Sequence, residues 1–116
     1  AQIRNEPDRQ DITDELIDRY GEPPAPVTNL LRIALIRAMG RECGMDKIVQ
    51  DGNTLRLYSE QLEPLIWQAM SRANPSWGAK MSGTPSENIS LRKPAGTDVL
   101  DFAQDVLEKY IARKNA

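Results

Sequence analysis

The chain has 116 residues, 40% of them apolar, which is enough for one domain with a modest core and not for two. Lys and Arg number 15 against 17 Asp and Glu, and the net charge of −2 argues against a uniformly basic surface for broad nucleic-acid binding. There is no His, so the commonest general base and the commonest metal ligand are both missing, and one Cys forms neither an internal disulfide nor a CxxC site. No apolar run approaches the roughly 18 residues of a membrane span, and no signal peptide is readable. The expectation is a reduced, soluble, cytoplasmic domain without metal or cofactor. The chain opens without Met inside a polar stretch, which reads as a piece of a longer protein.

Residues 1–10 are polar and carry Pro7, so they read as a linker or frayed N-terminal segment, with one domain over 11–116. Asp11 suits an N-cap, with Asp14 and Glu15 in the first turn. Ile12, Leu16 and Tyr20 form one helical stripe, and Gly21 marks its end. Pro23, Pro24 and Pro26 then make a stiff corner. The next helix is the most apolar stretch: Val27, Leu30, Leu31, Ile33, Ala34, Leu35, Ile36, Ala38 and Met39 cover most of its circumference. That pattern predicts a central helix with neighbours on several sides. Arg32, Arg37, Arg41 and Glu42 fill the gaps, and Gly44 ends it.

The period then changes. Lys47 to Gln50 and Asn53 to Ser59 read as a hairpin about Asp51-Gly52, with Leu55 and Leu57 alternating with Arg56 and Tyr58. Leu62, Leu65, Ile66, Ala69, Met70 and Ala73 return to a helical stripe, started by Ser59 or Glu60 and stopped by Asn74-Pro75. A second strand pair is expected over 77–82 and 88–92, around a Gly83-Thr84-Pro85-Ser86 loop. The last helix starts near Thr97 or Asp98 and carries Val99, Phe102, Ala103, Val106, Leu107, Tyr110 and Ile111 on one face. The predicted class is α+β, antiparallel hairpins packed with four helices in the order ααββαββα.

Chemistry is hard to find in this chain. There is no GxxxxGK[ST] and no GxGxxG. Cys43 and the hydroxyl side chains have no His to pair with, and Cys43 near the end of the most apolar helix reads as a buried thiol. A hydrolytic site of Asp and Glu is the weak enzymatic alternative. No catalytic, cofactor-binding or metal-binding residue is assigned. Trp67, about 140° from Leu62 around its helix, reads as packed under a loop or as an aromatic anchor for a partner. Trp77 opens a predicted strand as a core residue, while Arg32, Arg37 and Arg41 are too dispersed for a nucleic-acid patch.

Charge is concentrated at the front. The first 22 residues hold seven carboxylates and three arginines. Asp11, Glu15, Asp18 and Glu22 follow one another at i, i+4, i+7, i+11, one acidic ridge away from the apolar stripe. Such a ridge is a solvated helix face stitched by a Glu15–Arg19 pair, or a docking face for a basic partner.

Glu15-Leu16-Ile17-Asp18-Arg19-Tyr20-Gly21, then Pro24, Val27, Asn29-Leu30-Leu31, Ile33-Ala34 and Ile36-Arg37, followed by Gly44 and Lys47-Ile48, resembles the C-terminal domain of bacterial transcription-repair coupling factors. The specific part spans about residues 12–48. Tyr20 stands where Phe is common, and Glu22-Pro23 where Pro-Leu is usual. The resemblance implies a non-catalytic regulatory domain of an ATP-dependent DNA translocase that releases stalled RNA polymerase and recruits UvrA for nucleotide excision repair. It implies that the domain packs on the parent's UvrA-binding module and hides it, with Glu15, Asp18 and Arg19 as the contact; the acidic ridge read from helical spacing adds Asp11 and Glu22 as weaker candidates. UvrA, RNA polymerase and DNA would be partners through the parent; an accessory nucleic-acid-contacting module is the alternative.

Overall fold

The computed structural model describes residues 2–83 and 86–116. The order is α1 (Glu6–Tyr20), α2 (Ala25–Glu42), β1 (Lys47–Asp51), β2 (Thr54–Tyr58), α3 (Pro64–Ala73), a 3₁₀ turn (Pro75–Trp77), β3 (Lys80–Ser82), β4 (Asn88–Arg92) and α4 (Val99–Lys114). This is the α+β class and the element order that the sequence predicts. Thr84 and Pro85 of the expected second loop lie outside the described residues.

The four strands form one antiparallel sheet in the order β1-β2-β4-β3. The two hairpins therefore join through β2 and β4, with Leu55 opposite Leu91 and Leu57 opposite Ile89. Those four side chains are buried, and alternation puts them all on one face of the sheet. In the same core stand Leu35, Ile36 and Met39 of α2, Trp67 and Met70 of α3, and Phe102, Ala103, Val106, Leu107 and Tyr110 of α4. In α4, Asp98 caps the first turn by accepting hydrogen bonds from the Leu100 and Asp101 backbone N–H groups at 2.7 and 3.2 Å.

Five expectations change. First, α1 begins at Glu6, so residues 6–10 are helix and not linker. Asn5 is the cap, its side chain accepting from the Asp8 N–H at 3.0 Å, and Pro7 sits in the first turn, where a missing N–H costs nothing. Second, α2 is central only along its C-terminal half. Its buried residues are Leu35, Ile36, Met39 and Gly40, whereas Leu30 near its N-terminal end is 66% exposed. Third, α3 starts at Pro64, so Leu62 lies before the helix and gives a false phase. Trp67 and Met70 face inward, while Leu65 is exposed. Fourth, Trp77 is a core residue, as expected, but in the 3₁₀ turn and not in a strand. The β1–β2 turn is also displaced by one residue. Asp51 pairs with Thr54, leaving Gly52-Asn53 as the loop, and Gly52 takes φ +61° at the position where a type II′ turn wants Gly.

Two substitutions separate the buried body from the exposed α1–α2 end. Leu107→Ala, at a fully buried site, is expected to cost about 2–5 kcal/mol, and Leu30→Ala less than about 0.5 kcal/mol. Urea titrations of both variants measure the difference.

Candidate functional site

α1 is a helix with no buried residue. Ile12 and Leu16 are half-buried against the body, but Tyr20 at the end of the expected stripe is 79% exposed. The root of the helix is held by polar contacts. Arg9 Nε donates to both Glu6 carboxylate oxygens at 3.0 and 3.1 Å, and Gln104 Nε2 of α4 donates to Glu6 at 3.1 Å. The Arg9 hydrogen bond is the main cause that holds the Glu6 carboxyl below its ordinary range, against an opposing effect of burial. The same contact raises the Arg9 guanidinium.

The ridge projects from this root. Asp11, Glu15, Asp18 and Arg19 are all exposed. Arg19 meets Glu15 at 3.1 Å across one turn, with both side chains more than 60% exposed, a pair worth at most a few tenths of a kcal/mol. Among the described residues the Asp11 and Asp18 side chains have no ion pair, so three carboxylates and a guanidinium stand on one solvent-facing strip. Glu22 is not brought onto it. The helix ends at Tyr20, Gly21 turns the chain at φ +80°, and Glu22 falls outside the helical register that the sequence spacing assumed.

The other candidates are settled by packing. Trp67 is 1% exposed against Tyr110, ring centroids 5.2 Å apart, so it anchors the core and not a partner. Cys43 is buried and its thiol is pushed up to about 12, mainly by burial, so it is a thiol and no nucleophile at neutral pH. Among the described residues no three His, Cys, Asp or Glu side chains are grouped to hold a metal ion, and no helix is long and apolar enough to cross a membrane.

Arg32 has a role that its spacing did not reveal. It pairs with Asp98 at 3.3 Å and with Asp101, fastening α2 to the first turn of α4. The signal was divided between residues 66 and 69 positions apart, which no local pattern connects.

The fold is thus a two-layer α+β domain whose first helix carries exposed charge that the body does not use. The model of the TRCF domain family matches residues 1–67, more than half of the chain, and the chain belongs to that family, the TRCF domain of transcription-repair coupling factors. The solved structures that resemble it include "Crystal structure of C-terminal domain of transcription-repair coupling factor", 20% identical, with a TM-score of 0.73, covering 98% of this chain and 75% of that one. The search of curated proteins finds no match. The motif Glu15-Leu16-Ile17-Asp18-Arg19 lies wholly within the family-matched segment.

The Glu6 contacts carry a pH signature. Its folded carboxyl ionises at lower pH than in the unfolded chain, so its stabilisation is present above the ordinary Glu range and is lost as pH falls through the depressed folded value. Urea midpoints taken from neutral pH downward should fall more gently in Glu6→Gln than in the parent sequence, with Arg9→Gln behaving the same way.

Proposed function

We propose that this domain is a non-catalytic, autoinhibitory part of a transcription-repair coupling factor. Through α1 it packs on the parent's UvrA-binding module, masks the surface that UvrA would use, and restrains the DNA-translocating motor until stalled RNA polymerase is engaged. One observation carries the reading: the charged strip of Asp11, Glu15, Asp18 and Arg19 is exposed, contributes little to the fold, and lies within the family-matched segment. A helix face that the domain does not need for its own stability is free to serve an interface.

The mechanism is competition. Two surfaces claim one module, and covalent linkage gives the domain a local concentration that reaches the millimolar range for a short flexible tether. A contact built from carboxylates and one guanidinium sets orientation and on-rate more than raw affinity. It can hold under tether and still open when the polymerase-bound state favours the released form by a few kcal/mol.

The test is a titration of this chain against the isolated UvrA-binding module of a coupling factor. Binding is expected to be weak in trans, weakened by salt and reduced at least tenfold by Glu15→Lys with Asp18→Lys. These substitutions should leave the urea midpoint unchanged to within about 0.5 kcal/mol, since both positions are exposed. Binding that the charge reversals leave untouched would move the contact off α1. Absence of binding, together with normal UvrA recruitment by the same variant in the full-length protein, would overturn masking.

A further inference from the structure

The sheet has a second face, and its charge is the opposite of that on α1. Alternation places Lys47, Val49 and Asp51 of β1, Thr54, Arg56 and Tyr58 of β2, Asn88, Ser90 and Arg92 of β4, and Lys80 and Ser82 of β3 away from the buried leucines. None of these side chains belongs to the apolar core, although Asn88 is buried and donates to the Ser86 carbonyl at 2.8 Å. Register sets them in three rows: Lys47–Tyr58–Asn88–Ser82, Val49–Arg56–Ser90–Lys80, and Asp51–Thr54–Arg92. With strands about 4.8 Å apart, four cations come within a patch about 15 Å across. Its one acidic side chain, Asp51, is already paired with Arg56 at 3.3 Å. Lys47, Lys80 and Arg92 are exposed and, among the described residues, have no carboxylate partner. Tyr58 shares the patch, half-buried, with the Lys47 ammonium 5.6 Å from its ring centre. Arg56, Lys80 and Arg92 make the β2–β4–β3 part of the face basic on a chain whose net charge is −2, while Asp46, Glu60 and Glu87 border its Lys47–Tyr58 corner.

From this we infer that the outer face of the sheet is a binding surface for single-stranded nucleic acid. Lys47, Arg56, Lys80 and Arg92 would meet successive phosphates, with Tyr58 and the hydroxyl groups of Thr54 and Ser90 beside the bases. The cations supply the complementary charge. The face has no large exposed apolar anchor of the kind that centres protein interfaces. It is an open sheet surface with a cation–aromatic pair at one corner, which suits a flexible single strand, and it has no protruding element that would enter a duplex groove. No residue of α1 takes part, so the inference stands independently of the masking role.

The experiment is fluorescence anisotropy of a labelled 15-nucleotide oligo-dT with the whole chain, from low to moderate salt. Neutralising up to four phosphates predicts log K falling with log salt at a slope of about −2 to −3. Lys80→Glu with Arg92→Glu should weaken binding at least tenfold, and the milder Lys80→Gln with Arg92→Gln should reduce the slope by about 1.4, the share of two phosphate contacts. Far-ultraviolet circular dichroism checks that both variants keep the fold, and Leu30→Ala on α2 should leave binding unchanged. The inference is overturned by no binding at the lowest salt, by affinity indifferent to these substitutions, or by tighter binding of the corresponding duplex. It is also overturned by preference for poly-glutamate, which would make the partner an acidic protein, or by self-association that disappears in Lys80→Glu with Arg92→Glu.

Discussion

The inner face of α4 is the constraint on which the rest of the structure depends. Phe102, Ala103, Val106, Leu107 and Tyr110 are all buried, and each aromatic pair of the core includes one of them. Tyr110 meets Trp67 of α3, and Phe102 meets Trp77 of the 3₁₀ turn edge-on at 5.9 Å. Burying a helix face of this size is the main favourable contribution to a small domain, and here it comes from the last element in the chain. α2 is fastened to the same helix by Arg32, which reaches the two aspartates of its first turn. α1 is joined to it by the hydrogen bond from Gln104 to Glu6. The order of packing is therefore graded, from the sheet and α4 inwards to α1 at the margin.

That gradation explains where charge can be left exposed. A helix with no buried residue is free to carry unpaired carboxylates, because its sequence is not held by packing. The sheet shows the same logic on its two faces. The inner face is held to Leu and Ile by the core, while the outer face is free to be basic. A net charge of −2 for the whole chain thus hides an excess of carboxylates on α1 and an excess of cations on the outer face of the sheet.

Much of the fold was legible because it rests on local signals. The strict periodicity of residues 99–111, the Asp98 cap, the leucines alternating along β2 and the Gly21 turn each settle within a few residues. What was not legible depends on distant partners. The start of α1 was obscured by Pro7, read as a breaker although it sits in a first turn capped by Asn5. The face of α3 was misphased by Leu62, an apolar residue of the preceding loop. The exposure of Leu30, against the burial of Leu35 and Ile36 on the same helix, depends on what packs against each half of α2, which no pattern within α2 reveals. At the candidate site, Asp11, Glu15, Asp18 and Arg19 were readable from helical spacing, whereas Glu22 was lost because that spacing was extended past a glycine turn. The basic face was invisible for a plainer reason. Arg56 and Arg92 lie 36 positions apart and come together only through the β2–β4 register, which neither hairpin determines alone.

The separation of the two charged surfaces has a mechanical consequence. If α1 holds the domain against another module of its parent, the sheet's outer face is not consumed by that contact, since the two share no residue. A domain with opposite charges on distinct surfaces can exchange partners without unfolding, because each polar interface is made and broken by differences of a few kcal/mol. The apolar core takes no part in either surface. It gives both of them a fixed geometry, and that rigidity lets a marginal helix and an open sheet act as surfaces at all.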